Sequence, residues 1–247
     1  MPHRRLYNRI ALVTGGSRGI GAAICRKLSR DGAIVILTYG HDAEQAERVC
    51  DELVLSGGKA QAIRCDMEMP DQIDSLFQTI SKSYQHLNIL VNNAAVAEMI
   101  PFEENDIAQF ARFFNINVRG PMLAIQKAMP LWENGGSVIN ISSAIVRECP
   151  AHSLLYTSSK AALDAMTQVL AKELGPKKVR VNSLSPGLID TKLSRDAMPE
   201  AMFAKIAKHT PLQRLGTPED IANAAAFLAS DESYWITGEI IAATGGI

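Results

Sequence analysis

Short apolar runs alternate with longer amphipathic stretches along almost the whole chain. Ile10-Ala11-Leu12-Val13 has the unbroken apolar pattern of a buried strand, followed by a Gly-rich turn and a helix reaching about Ser29. Residues 33–38 predict a second strand, and residues 43–55 a helix ended by Gly57-Gly58. Residues 60–65 predict a third strand, and Pro70 and Asp71 suit the first turn of the next helix. The rhythm continues with strands at 89–91, 137–141, 179–184 and 239–242. Between them, helical patterns cover most of 106–129, then 155–174 up to Gly175-Pro176, and 218–228.

Strands this short and this apolar belong in a parallel sheet covered on both faces by helices. Repeated strand-then-helix units with right-handed crossovers predict the α/β class. The expected architecture is a doubly wound parallel β-sheet of Rossmann type, one domain spanning residues 1–247. One stretch breaks the rhythm: Asp190 to Thr210, Met-rich and polar, lies between a Pro-Gly turn and Pro211. As an insertion at the carboxyl ends of the strands, where ligands bind in such sheets, it is expected to be a substrate loop.

Composition narrows the partners. A formal net charge of −1 with no basic stripe gives no electrostatic reason to expect nucleic acid or anionic lipid. No apolar run approaches the roughly 18 residues of a membrane span. The basic start, Met1 to Arg9, leads into a strand rather than a signal-peptide apolar region. Cys25, Cys50, Cys65 and Cys149 form no C-x-x-C pair, which suits free thiols in a reducing compartment. A cytoplasmic protein without a metal site is the expectation.

The first strand-to-helix turn reads Thr14-Gly15-Gly16-Ser17-Arg18-Gly19-Ile20-Gly21. Glycines there let the chain turn tightly and the helix N-terminus approach a pyrophosphate. The G-x-x-x-G-x-G spacing differs from the commoner G-x-G-x-x-G, so position rather than pattern carries the assignment. The second strand ends Leu37-Thr38-Tyr39-Gly40-His41, with no carboxylate before Asp42 to meet a ribose 2′-hydroxyl. Arg18 supplies positive charge suited to a 2′-phosphate. NADP(H) is therefore favoured and NAD(H) stays open; the plain alternative is a solvated Arg18 and an Asp42 that caps the next helix.

Tyr156-Thr157-Ser158-Ser159-Lys160 places a phenol and an ammonium one helical turn apart on one face. A free phenol titrates at about 10, too high for a base at neutral pH, and a neighbouring cation lowers that value. Such a tyrosine can exchange a proton with a carbonyl or alcohol oxygen. Ser142-Ser143 follows the 137–141 strand at the same sheet edge, where a serine hydroxyl can hold that oxygen. Alone, Y-x-x-x-K is as readily a packing aromatic beside a solvated lysine.

The set Thr14-Gly15-x-x-x-Gly19-x-Gly21, Asn92-Asn93-Ala94, Asn117, Ser143, Tyr156-x-x-x-Lys160 and Pro186-Gly187 resembles the short-chain dehydrogenase/reductases in their compact, single-domain branch. The resemblance runs from Arg9 to Gly246 in the family's order and spacing. It implies Tyr156 as catalytic acid/base, Ser143 as carbonyl-polarising partner and Lys160 as the residue that lowers the tyrosine pKa and binds the nicotinamide ribose. Ser143 is chosen over Ser142 because the family serine lies thirteen positions before its tyrosine. Asn117 resembles the family asparagine that holds a water linking Lys160 to solvent; the neighbouring Asn115 lacks the glycine three residues on.

For the cofactor, the resemblance implies Gly15, Ser17, Arg18, Gly19, Ile20 and Gly21 at the pyrophosphate, and Tyr39 by the adenosine. Asp66, with Met67 beside it, matches the acidic position that meets the adenine. Asn93 and Ala94 line the cofactor, and Pro186, Gly187, Ile189 and Thr191 match the segment closing over the nicotinamide and phosphates. One departure stands out: the usual Asn-Asn-Ala-Gly ends in Ala95 here, whose β-carbon is expected to tune the loop rather than abolish binding.

Within the family, residues 211–222 and 227–232 most resemble 3-oxoacyl-[acyl-carrier-protein] reductases, although such segments recur in many relatives. An NAD(P)H-dependent ketoreductase acting on an acyl thioester or similar small carbonyl compound is the leading expectation. The alternatives are a dehydrogenase of a small alcohol, sugar or steroid, and a catalytically silent cofactor-binding regulatory protein. The resemblance also implies a homotetramer or homodimer built on the helices near 105–129 and 155–174.

Overall fold

The computed structural model describes residues 5–197 and 199–247; Met1 to Arg4 of the basic start and Met198 of the expected insertion lie outside the described residues. The chain forms β1 (Ile10–Val13), α1 (Gly19–Arg30), β2 (Ile34–Tyr39), α2 (Ala43–Leu55), β3 (Lys59–Arg64), α3 (Pro70–Ser83) and β4 (Ile89–Asn92). There follow α4 (Ile107–Phe114), a π-helical turn (Asn115–Arg119), α5 (Gly120–Ala128), β5 (Gly136–Ile141), α6 (Ile145–Glu148) and α7 (Leu154–Leu174). The last elements are β6 (Val179–Pro186), α8 (Lys192–Ala197), α9 (Glu200–His209), α10 (Pro218–Ala229) and β7 (Ile240–Ala243).

The seven strands form one sheet in the order β3-β2-β1-β4-β5-β6-β7, and every neighbouring pair is parallel. Alternate side chains of each strand enter different cores. Ala11, Val13, Val35 and Leu37 pack against α1, α2 and α10, with Ile24, Leu28, Val49, Ile221 and Ala225. Ile10, Leu12, Ile36, Leu90, Val138 and Val181 face α3, α5 and α7, with Ile73, Leu76, Ala124 and Leu174. Burying both faces is why the strands read as continuous apolar runs. Strand order reverses between β1 and β4, which opens a crevice at their carboxyl ends.

Helix starts follow local chemistry. Asp106 and Gln109 form a reciprocal capping box on α4, and Thr217 and Asp220 form another on α10. Arg214 also pairs with Asp220 through both carboxylate oxygens, at 2.6 and 2.9 Å, and these hydrogen bonds hold that carboxyl far below the ordinary range.

Two regions differ from the sequence expectation. The helical pattern over 106–129 is divided by the π turn, and a reason lies in Pro121. Proline lacks the N–H that would bond the carbonyl four residues earlier, that of Asn117, so regular α-helix cannot pass through. The stretch from Asp190 to Thr210 is not an open loop but carries α8 and α9. Arg195 folds α8 back through a bidentate pair with Asp190 (2.6 and 2.7 Å), and its guanidinium lies 5.6 Å from the buried Phe203 ring.

Cys25, Cys50 and Cys65 are buried free thiols, and burial pushes Cys50 up to about 11 and Cys65 to about 12; Cys149 is exposed. Among the described residues, no helix is long and apolar enough to cross a membrane.

Candidate active site

The carboxyl ends of β1, β4, β5 and β6 meet the start of α7, and the predicted residues gather there. Asn93 ties the glycine turn down. Its side chain donates 2.9 Å hydrogen bonds to the carbonyls of Thr14 and Gly15. Thr14 Oγ1 in turn accepts from the main-chain N–H groups of Asn93 and Ala94 at 3.0 and 3.1 Å. The other side of the turn is held by β2: Gly15 N–H donates to Thr38 Oγ1 (3.1 Å) and Gly16 N–H to the Thr38 carbonyl (2.9 Å). Gly15 and Gly19 take φ +63° and +54°, the left-handed region that glycine enters without strain.

Arg18, at the N-cap of α1, makes no side-chain capping bond, so the first turn of α1 carries unpaired amide donors suited to an anion. A β-carbon built on Gly19 would lie 3.7 Å from Thr191 Cγ2, which sets the glycine turn opposite the segment after β6. Pro186 and Gly187 enter that segment, with the Pro186 carbonyl accepting from Ala144 N–H at 2.8 Å and Gly187 N–H donating to Ala243 at 3.1 Å. The cradle between these two walls fits the pyrophosphate of a dinucleotide. Ser17 is buried and Ile20 packs its side chain onto the core.

Met67 and Ile189 sit differently from the rest. Both side chains are buried, at 4% and 5% exposure, among core residues, so they offer a ligand only main-chain groups. Asp66 uses one carboxylate oxygen to accept from Glu68 N–H at 2.9 Å, and Tyr39 is half-buried at the end of β2. Asp42 does cap α2, accepting from Gln45 N–H at 3.0 Å. Ala95 is exposed and its φ is not positive, so its β-carbon adds no backbone strain. Sequence reasoning missed Arg64, whose Nε donates to the Gly40 carbonyl at 3.3 Å; the parallel register that sets Tyr39 beside Arg64 was its signal.

The polar group at the end of β5 is compact. The Ser143 hydroxyl lies beside Tyr156, where it acts to lower the phenol's pKa, and Ser143 Oγ accepts from Ile145 N–H at 3.3 Å. Lys160, 2% exposed, donates from Nζ to the Ile141 carbonyl at 2.7 Å and lies 5.9 Å from the centre of the Tyr156 ring. Asn117 is fully buried. Its Oδ1 accepts from Val96 N–H (2.9 Å), and its Nδ2 donates to the Val96 carbonyl (3.0 Å) and to Ser159 Oγ (2.9 Å). Asn115 instead turns toward Glu68.

Burial dominates the protonation of this group. It pushes the Tyr156 phenol above its ordinary value, with the Ser143 hydrogen bond acting the other way. The phenol is therefore not lowered as the sequence led one to expect, and burial also brings the Lys160 ammonium down to about 8. At neutral pH the pair is a neutral phenol beside a lysine still mostly charged.

The comparisons agree with this geometry. A family model described as enoyl-(acyl carrier protein) reductase matches residues 15–247. An oxidoreductase of Methylorubrum extorquens is 41% identical over 245 residues, covering 98% of this chain and 99% of that protein. A versicolorin reductase of Emericella nidulans is 36% identical over 255 residues, covering 98% and 96%. The solved structure of an angucycline C-6 ketoreductase with bound NADP superposes with a TM-score of 0.92 at 34% identity, covering 98% of this chain and 96% of that one. The chain belongs to the short-chain dehydrogenase/reductase family and is an oxidoreductase of that type.

Proposed function

We propose that this enzyme is an NADP(H)-dependent ketoreductase that converts a ketone into a secondary alcohol. The observation that carries the reading is the grouping of Ser143 beside Tyr156, with Lys160 one turn along and bonded to Ile141, at the same carboxyl edge of the sheet as the glycine turn. Two neighbouring hydroxyls can converge on one substrate oxygen. The nicotinamide, when bound, supplies the hydride to the carbonyl carbon.

Ser143 holds the carbonyl oxygen and Tyr156 gives it the phenol proton as negative charge develops there. Lys160 stabilises the phenolate left behind. The Asn117 side chain is saturated by Val96 and Ser159, so its part is to fix the strand-to-helix packing, and its main-chain carbonyl, deprived of an α-helical donor by Pro121, is the group that holds a water toward Lys160.

Three features support NADP(H) over NAD(H). Arg18 is exposed and pairs with no carboxylate among the described residues, Asp42 is turned to its capping role, and Arg64 adds a second cation by Gly40. The NADP bound to the angucycline ketoreductase points the same way. Arg18→Glu should lower kcat/KM for NADPH by about 10- to 100-fold, the worth of one charge-assisted phosphate contact, while NADH is nearly unaffected. Steady-state kinetics with both cofactors checks this.

The relatives named for versicolorin and angucycline favour a ring ketone as substrate. The description of the matching family model supports the second reading, a 3-oxoacyl thioester. A panel of cyclic and aromatic ketones and acetoacetyl thioesters, followed by nicotinamide absorbance with NADPH and then NADH, separates the two. Absence of ketone-dependent oxidation with either cofactor would sink the proposal. For assembly, the exposed Phe110, Met122, Leu154 and Val169 on α4, α5 and α7 support a homotetramer or homodimer, which sedimentation would distinguish.

A further inference from the structure

The catalytic group described above leaves one buried acid without a role. Asp164 follows Lys160 by one turn of α7 and is only 5% exposed at the interface between that helix and the sheet. An apolar residue would fill such a place without the cost of taking a carboxyl out of water. Something must therefore compensate the carboxyl.

Two groups do so. From β6, Ser183 Oγ donates to Asp164 Oδ1 at 2.6 Å, a length typical of a hydroxyl bound to an ionised carboxylate. Burial pushes the Asp164 carboxyl above its ordinary range, and the Ser183 bond and the charge of Lys160 on the same helix act the other way. Lys160 reaches past its neighbour, however. Its hydrogen bond goes to the carbonyl of Ile141 at the end of β5, while Asp164 is held from β6, so the two charges anchor adjacent turns of α7 to neighbouring strands. One turn further, the seam turns neutral, with Thr167 Oγ1 accepting from Asn140 Nδ2 and Asn92 Nδ2 donating to Asn140 Oδ1, both at 2.8 Å. No second cation competes for Asp164 from that side.

We propose that Asp164 is a positioning residue for Lys160: its carboxylate, held by Ser183 from β6, is the counter-charge that keeps the buried lysine an ammonium beneath Tyr156. The sign of the coupling is fixed. Burial lowers the Lys160 ammonium to about 8 and Asp164 acts to raise it, so removing the carboxylate lowers it further. Reduction of a ketone needs the charged lysine, and its alkaline limb must move to lower pH when that charge is lost earlier. The inference rests on Tyr156 and Lys160 as the reaction centre.

The test reads Lys160 directly. In lysine-labelled protein, its side-chain resonance, assigned by its absence from Lys160→Met, is titrated alongside the pH profile of ketone reduction. Asp164→Asn should lower the Lys160 midpoint by about one pH unit and shift the alkaline limb equally. Asp164→Glu should restore both, and Ser183→Ala, which keeps the acid but loosens it, should shift both less in the same direction. A merely structural aspartate would reduce thermal stability without moving either value. An unchanged midpoint in Asp164→Asn overturns the proposal, and Ser183→Ala decides if that variant does not fold. Because the resonance does not depend on turnover, an active Tyr156→Phe enzyme would overturn the reaction centre separately.

Discussion

Tyr156→Phe should reduce turnover by roughly 10³-fold, within the range of a lost general acid, while NADPH binding followed by fluorescence titration stays close to that of the parent. The change removes one oxygen and leaves the ring against its neighbours. Ser143 keeps its bond from Ile145 N–H, and Lys160 keeps its bond to Ile141, so the frame of the site persists. What disappears is the proton that meets the forming alkoxide. The parent profile should also show reduction declining as pH rises through about 8, because Lys160 loses its charge there. Full activity in the phenylalanine variant would mean that another group, or solvent, protonates the product.

Gly21→Ala is expected to cost about 3 kcal/mol of stability and to abolish measurable NADPH binding. A β-carbon at Gly21 would overlap the Gly15 carbonyl oxygen and come within 2.5 Å of Asn93 Nδ2. Neither can retreat cheaply, since one is main chain in a tight turn and the other is already bonded to Thr14 and Gly15. Relief requires moving the helix away from the turn, which spoils the anion cradle. Thermal melts with and without NADPH check both parts: a lower melting temperature and no shift on adding cofactor. A cofactor-induced shift equal to that of the parent would mean that the turn absorbs the methyl group.

Much of the fold was legible because β1, β2 and β4 to β6 are largely buried on both faces and therefore announce themselves as mostly apolar runs. The expected strand Ile10–Val13 and helix Ala43–Leu55 coincide with those observed, and the expected 155–174 helix starts one residue late. The π turn at Asn115–Arg119 was hidden because its residues have the composition of an ordinary helix, and the only local sign was Pro121. The pair α8 and α9 was hidden because a mostly exposed polar segment has little periodicity to read, with Phe203 as a deeply buried anchor.

The site divides in the same way. Tyr156 and Lys160 share one helix, so their spacing alone puts them on a common face. Asp164 is on that face too, but its significance depends on Ser183, which belongs to β6 and reaches it only through the packing of α7 on the sheet. Nothing in the local spacing of either residue reports that contact. Arg64 was overlooked for a similar reason, since its relation to Gly40 exists only once β2 and β3 are in register.

The segment carrying α8 and α9 leaves and rejoins the body at nearly one point, where Ile189 bridges Gly216. The bidentate clasp between Arg195 and Asp190 is made within the segment itself. It therefore behaves as a cassette with a closed neck, and its contents can be exchanged between relatives without re-registering any strand. If the proposed function holds, proton transfer and hydride geometry belong to the sheet edge, and the choice of ketone would be written in a part that can be swapped.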